Sequence, residues 1–185
     1  MNKFLIVGLV AIFLVASVAL ALTLGNHSPV LLQASTAQSI FGGSWKVLTN
    51  DTYLKVYPTQ TVSVYFANGT NVTTPLPHQV KTLDKEVLVG DVNGTTVVMR
   101  IQEITYTSNV TFFNFLRPLG HLMHHRFLFS NFNITNFNGY EVVYFSNNVF
   151  PRTYLLAIKG NTIVNVELNM TATQQQMLDV LSNLS

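Results

Sequence analysis

The sequence contains no cysteine and few charged residues for its length. Ten Lys or Arg and eight Asp or Glu occur among 185 residues, whereas about a quarter of the residues of a typical soluble protein are charged. Without cysteine, the chain has neither disulfide bonds nor a thiol nucleophile. The net charge of +2 and the absence of a Lys/Arg cluster give no indication of a nucleic-acid partner.

Sequence motifs of enzymes are also missing. The chain has no Gly-x-Ser-x-Gly element and no phosphate-binding loop. Asp84 and Glu86 lie near the start of a predicted strand, where we expect an exposed rim rather than an acid–base pair. His121, His124 and His125 form the only local cluster that could bind a metal, but no Asp, Glu or Cys nearby completes a coordination shell. We therefore expect neither an enzyme nor a metal or other cofactor.

The longest apolar run lies at the N-terminus. Residues 4–24 carry no charge and follow a single cation, Lys3. The small residues of Ala19-Leu20-Ala21 match an A-x-A cleavage site, which predicts a signal peptide over 1–21. Because this run exceeds the ~7–15 residues of a usual signal core and about 20 residues span a bilayer, an uncleaved anchor to Leu24 is the alternative. In both cases Lys3 keeps the N-terminus inside, and the rest of the chain is exported.

The exported part divides into two regions. Residues 22–43 are mostly small and polar and predict a flexible linker. Residues 44–185 suit a single α+β domain, an antiparallel sheet with a C-terminal helix. Six stretches rich in β-branched and aromatic residues predict strands of this sheet: 44–49, 53–57, 61–67, 140–145, 152–159 and 162–168. Between the third and fourth of them, residues 74–77 predict a rigid, proline-rich loop.

Two further elements have specific signatures. Asn93-Gly94 supplies the positive φ angles of a type I′ turn and predicts a hairpin between strands at 86–92 and 95–107. Thr171 and Gln174 have the spacing of a capping box ahead of apolar residues at helical intervals, which predicts a helix over 171–184.

Acceptor motifs for N-linked sugars are abundant. Nine asparagines begin Asn-x-Ser/Thr, where the residue frequencies give roughly three by chance. Seven carry Thr, and we predict glycosylation at each of them: Asn50, Asn68, Asn71, Asn93, Asn109, Asn133 and Asn169. Sugars would keep a weakly charged surface soluble. An acidic medium, in which carboxylates lose their charge, is a second and compatible explanation for the scarcity of charge.

Phenylalanine is concentrated between Phe112 and Phe137, where seven of the thirteen occur. A buried core is one interpretation of this run. The other is an exposed patch that contacts a membrane or partner, because cationic groups inside the run favour anionic lipid headgroups. The residues of this candidate contact surface are Phe112, Phe113, Phe115, His124, His125, Arg126 and Phe127.

The exported chain, with no cysteine, little charge and dense Asn-x-Thr motifs, resembles surface and secreted proteins of thermoacidophilic archaea. Among these it looks most like the sulfolobicins, in its size, its signal and the run from Ile40-Phe41-Gly42-Gly43-Ser44-Trp45 to the C-terminal helix. The resemblance implies a small exported antimicrobial protein that associates with membranes or shed vesicles and occurs with a related partner protein. A glycosylated subunit of an extracellular thread or pilus-like filament, or another cell-surface binding module, is the alternative.

Export with cleavage is the first testable prediction. Since Ala19-Leu20-Ala21 fits a cleavage site, N-terminal sequencing of protein recovered from the medium or membrane should begin near Leu22. A chain that begins at Met1 would instead indicate a retained anchor.

Overall fold

The computed structural model describes residues 30–65, 70–76, 79–111, 131–147, 149 and 151–184. In chain order, the elements found there are α1 (Ala34–Phe41), β1 (Ser44–Val47), β2 (Tyr53–Val56), β3 (Thr61–Tyr65), β4 (Asn71–Pro75), β5 (Val80–Val92), β6 (Thr95–Tyr106), β7 (Asn131–Phe137), β8 (Tyr140–Asn147), β9 (Arg152–Lys159), β10 (Thr162–Leu168) and α2 (Gln174–Ser182).

Eight of the strands form one sheet in the order β1-β5-β6-β10-β9-β8-β7, with β2 also paired to β5. Every pairing in it is antiparallel. The long strands β5 and β6 are joined by a two-residue turn, as are β7 and β8, and β9 and β10. The other two described strands, β3 and β4, form a separate two-stranded sheet. The predicted antiparallel sheet with a C-terminal helix is confirmed.

The main core lies between one face of this sheet and the two helices. Alternate residues of the central strands point to this face and are fully buried, including Leu88, Met99, Ile101, Leu155 and Val166. The helices complete the core with one apolar side each: Ala37 and Phe41 from α1, and Met177, Leu178, Val180 and Leu181 from α2. Burial of these side chains supplies most of the driving force for folding.

The opposite face of the sheet is apolar over part of its area. Val143, Leu156, Ile158 and Ile163 are buried there, and Ile104, Tyr106, Val110 and Phe145 pack against them. Central strands buried on both faces have nearly continuous apolar sequences. For this reason β9, with five of its eight residues buried, shows little alternation.

The predicted hairpin is present in the structure, although its first strand, β5, begins at Val80 rather than at residue 86. Asn93 and Gly94 both have positive φ angles, 53° and 76°, as a type I′ turn requires. In β10, Val164, Val166 and Leu168 face the main core while Asn165 is exposed, which follows from the alternation of side chains along a strand. The predictions for β9 and β10 match the observed bounds.

The N-cap of the C-terminal helix lies two residues later than predicted, and the helix itself begins at Gln174. The capping box is formed by Thr173 and Gln176 rather than by Thr171 and Gln174. Both pairs have the same spacing, but the backbone of Ala172 is bound to the sheet: its N–H donates to Thr153 Oγ1 and its carbonyl accepts from the Tyr144 hydroxyl. The helix therefore begins only after this anchored residue.

The rigid loop predicted at 74–77 is a second correction. Asn71–Pro75 forms β4, opposite β3. A proline is tolerated at the end of an edge strand, where its missing N–H breaks no hydrogen bond of the ladder.

The linker predicted over 22–43 is a third correction within residues 30–43. Leu31 and Leu32 are buried in the main core, and residues 34–41 form α1. The polar residues of this stretch gave the appearance of a linker, whereas the few apolar ones dock it onto the sheet. The domain accordingly includes residues from Val30 onward. The predicted signal segment, 1–21, and the alternative anchor to Leu24 lie outside the described residues.

Replacement of Leu32 tests whether this segment belongs to the domain. Leu32 has no exposed surface, so Leu32→Ala should lower the free energy of unfolding by about 2–5 kcal/mol in denaturant titrations. Its neighbour Gln33 is exposed, and Gln33→Ala should change the free energy of unfolding by less than about 0.5 kcal/mol. Equal and small effects of both substitutions would mean that the segment does not contribute to the core.

Candidate functional site

Glu86 is the most unusual polar residue of the described chain. It lies on β5, on the face that carries the main core, and its side chain is fully buried. One carboxyl oxygen, Oε2, accepts hydrogen bonds from the backbone N–H groups of Leu31 and Leu32, at 3.0 and 2.7 Å. The other oxygen, Oε1, is buried and receives no hydrogen bond from any residue that the structure describes.

This environment favours the neutral carboxyl group. Burial raises the pKa of Glu86, the two backbone N–H donors lower it, and the nearby Asp84 raises it again, with a net result of about 7 against an ordinary value of 4.5. Removal of the charged form from water is the dominant cause. Glu86 is therefore protonated in acidic solution and ionises near neutrality.

Two further carboxyl groups, those of Asp84 and Glu103, lie on the same face of the sheet as Glu86. Asp84 is also buried, and it stands directly opposite Glu103 in the β5–β6 ladder. Burial and the charge of Glu103 raise the pKa of the Tyr140 hydroxyl. The exposed rim predicted at Asp84 and Glu86 is thus wrong: both residues point into the domain.

Among the described residues, these carboxyl groups are not part of a cluster that could hold a metal ion. In the part of the chain that the structure describes, no three His, Asp or Glu side chains are grouped so as to hold a metal ion. The cluster of His121, His124 and His125 lies outside those residues.

The predicted sugar acceptors are all on the surface where the structure describes them. The side chains of six are exposed: Asn50, Asn71, Asn93, Asn109, Asn133 and Asn169. The seventh, Asn68, lies outside the described residues. Their positions include turns, strand ends and edge strands. An oligosaccharide can therefore be accommodated at each of the six without displacing the core.

Asn93 is the most prominent of these positions. It occupies the tip of the long β5–β6 hairpin, and the Gly94 N–H that follows it donates to Asp91 Oδ1 at 2.9 Å. Asn133 lies on the edge strand β7, where its Nδ2 donates to Gln174 Oε1 at 2.7 Å. That bond uses one of the two amide hydrogens, which leaves the other for linkage to a sugar.

The candidate contact surface at Phe112, Phe113, Phe115, His124, His125, Arg126 and Phe127 lies outside the described residues. Its predicted role stays a prediction.

The run Ile40–Trp45 connects α1 to the sheet. The Trp45 indole N–H donates to the Gly42 carbonyl at 2.8 Å, and its ring lies 5.8 Å from that of Phe41. Trp45 pairs with Gly90 on β5, where a Cβ atom would come within 2.5 Å of the indole ring. The glycine at position 90 therefore lets the indole ring of Trp45 lie flat on the sheet. The run Ile40–Trp45 thus has a structural explanation.

Comparison with known proteins assigns no family. No protein-family model, no curated protein and no solved structure matches this chain. Among the described residues, no helix has the length and hydrophobicity needed to cross a bilayer.

Glu86 makes stability depend on pH. Because its folded pKa, about 7, exceeds its ordinary value of 4.5, the stabilising contribution is complete below pH 4.5 and is lost as the pH rises through 7. The loss amounts to about 3 kcal/mol at most. Glu86→Gln, which keeps a neutral oxygen acceptor for Leu31 and Leu32, should flatten this dependence in denaturant titrations from pH 4 to 8.

Glu141 provides the matched control for this experiment, since its side chain is exposed. Glu141→Gln should retain the pH dependence of the unmodified protein. If Glu86→Gln loses as much stability between pH 4.5 and 7 as the unmodified protein does, Glu86 is not the group that titrates.

Proposed function

We propose that this chain is an exported, N-glycosylated protein of an acidic extracellular medium, and that it acts as an antimicrobial protein at the membrane of related cells. The observation that carries the glycosylation is the exposure of every predicted acceptor asparagine in the described residues. The antimicrobial role follows from the resemblance to the sulfolobicins, which also implies membrane or vesicle association and a related partner protein.

The buried carboxyl group of Glu86 supports the acidic medium. Glu86 is fully buried, and one of its oxygens receives no hydrogen bond from any described residue. At neutral pH its ionised form would lie in a poorly solvated place, at a cost in stability. Because burial raises the pKa of Glu86 to about 7, this group is protonated in acid and the cost disappears. The few charges of the whole sequence fit the same explanation.

The filament alternative is constrained by the first residues of the domain. A subunit could donate its N-terminal tail as a strand to the sheet of a neighbour. Residues 31 and 32 and helix α1 are however buried in the domain's own core. Only residues 22–29 of the predicted mature chain remain for donation, and eight residues suffice for one short strand. A filament assembled in this way would therefore have to use this tail alone.

One purified sample distinguishes the two functions. The protein is spotted on lawns of related strains at acidic pH and imaged by electron microscopy. The proposed antimicrobial protein produces clear zones and no fibres. Fibres without clear zones would overturn the antimicrobial proposal in favour of the filament subunit.

Glycosylation is tested on the same sample by intact mass before and after removal of glycans. Asn93→Gln should remove the mass of one oligosaccharide. Asn165 is exposed on β10 but is followed by Val-Glu, so Asn165→Gln should leave the glycan mass unchanged. A secreted chain with the unmodified mass would contradict this part of the proposal.

A further inference from the structure

The β3–β4 hairpin is the most exposed regular structure of the described chain. It forms a separate two-stranded sheet, and the side chains described in both strands are exposed. They include Val62, Tyr65 and Val72, with 39%, 77% and 52% of their surface accessible. An isolated two-stranded hairpin is only marginally stable in water. This hairpin therefore needs further support beyond its own ladder.

The base of the hairpin is fixed to the main sheet. The Gln60 N–H donates to the Gln79 side-chain oxygen, and Gln79 Nε2 donates back to the Gln60 carbonyl, both at 2.8 Å. Gln79 in turn exchanges hydrogen bonds with Thr107, which follows β6. The hairpin is thus held in a defined position while its strands remain exposed.

The direction of the unpaired backbone groups follows from the hydrogen bonds at this base. The Leu76 N–H donates to the Gln60 carbonyl at 3.1 Å. Hydrogen-bonded and non-hydrogen-bonded pairs alternate along an antiparallel ladder, so Thr61↔Pro75, Ser63↔Thr73 and Tyr65↔Asn71 belong to the second kind. The N–H and C=O groups of Thr61, Ser63 and Tyr65 consequently point away from β4, toward solvent.

Among the residues that the structure describes, no charged side chain, proline or covering segment protects the outer edge of β3. Natural sheets avoid edge-to-edge pairing through charged residues, prolines or covering groups. Lys46 lies on β1, Lys55 on β2, and the acceptor Asn133 on β7. The strand β4 has Pro75 and the acceptor Asn71. By contrast, β3 reads Thr-Val-Ser-Val-Tyr and lies in a run of 25 residues, 56–80, without Asp, Glu, Lys or Arg.

We propose that β3 is a docking edge for β3 of a second copy of this chain. Antiparallel pairing of the two strands creates a four-stranded sheet with β4 of each copy on the outside. The contact is isologous, since the same edge serves both copies, and it closes after two. Pro75 and the acceptor Asn71 lie on the outer strands and hinder further addition there. The five-residue strand makes this a weak dimer that depends on protein concentration.

Pairing of β3 with β3 of a second copy requires that no charged residue lies opposite a like charge, and the sequence of β3 meets this requirement. In the register that pairs all five residues of β3, Ser63 stands opposite Ser63 of the second copy, and Thr61 opposite Tyr65. A charged residue at the centre would face its own like charge, which destabilises a strand pair. All five residues of β3 are uncharged.

Sedimentation velocity of the mature, glycosylated protein over a range of concentrations tests the proposal. Ser63→Pro removes the central outward N–H and leaves the bonds to β4 in place. Ser63→Ala is the matched control, because both variants lose the hydroxyl bond to Thr73 but alanine keeps the N–H. The wild-type protein and the Ser63→Ala variant should dimerise as the protein concentration rises, and the Ser63→Pro variant should remain a monomer.

A cross-linking experiment tests the register independently of proline. The chain has no cysteine, so Ser63→Cys introduces a single thiol that lies opposite itself in the dimer. Mild oxidation should convert most of it to a covalent dimer. Val62→Cys, also on an exposed position of β3, lies opposite residue 64 and should cross-link several-fold less.

Three results would overturn the proposal. The first is a wild-type protein that stays monomeric at every concentration, and the second is a dimer that persists in the Ser63→Pro variant. The third is equal cross-linking of cysteines at positions 62 and 63. Binding of the monomer to lipid vesicles that is weakened by Ser63→Pro would assign this edge to a membrane instead.

Discussion

The hydrogen bonds from Leu31 and Leu32 to Glu86 hold the beginning of the domain on the sheet. Two successive backbone N–H groups are buried there, and each would cost about 1–3 kcal/mol without an acceptor. Glu86 Oε2 accepts both. This anchor places α1 two residues later over the main core, and α1 then receives α2, since Gln176 Nε2 donates to the Ile40 carbonyl. The helical layer thus depends on one buried carboxyl group and on its surroundings remaining neutral.

The scarcity of charge affects the core and the surface in different ways. In the core, acid keeps Glu86 protonated and so removes the penalty for burying its charge. On the surface, acid removes the negative charge of exposed carboxylates, which otherwise helps to prevent the edges of sheets from pairing. In the proposed glycoprotein, exposed acceptor positions such as Asn50, between β1 and β2, and Asn133, on β7, would carry sugars instead. A bulky sugar obstructs pairing by its volume, and its effect does not depend on pH.

Local patterns predicted the parts of the fold that local chemistry determines. Asn93-Gly94 adopts the positive φ angles that its turn requires, and the alternation in β10 orients Val164 and Val166 correctly. The predicted N-cap of the C-terminal helix was wrong because two residue pairs have the spacing of a capping box: Thr171 and Thr173 each precede a glutamine by three residues. Only the contacts of Ala172 with the sheet select the second.

The features that could not be predicted depend on contacts between distant parts of the chain. Glu86 meets Leu31 across 55 residues, and nothing in its neighbours distinguishes it from an exposed strand carboxylate. Helix α1 buries only Ala37 and Phe41, too few apolar positions to signal a helix before the sheet is known. The acceptor asparagines, in contrast, were predicted from sequence alone to be exposed, because the motif itself selects surface positions in an exported protein.

The short distance between the apolar leader and the domain links export to function. The predicted anchor would end at Leu24, and Leu31 is the first described residue that binds Glu86. The six residues between them span at most about 20 Å when extended. An uncleaved leader would therefore keep the domain against the membrane of its own cell, whereas a protein that acts on other cells must leave it. Cleavage after Ala21 is consequently a condition of the proposed antimicrobial role, and retention of the leader would favour a fixed surface protein.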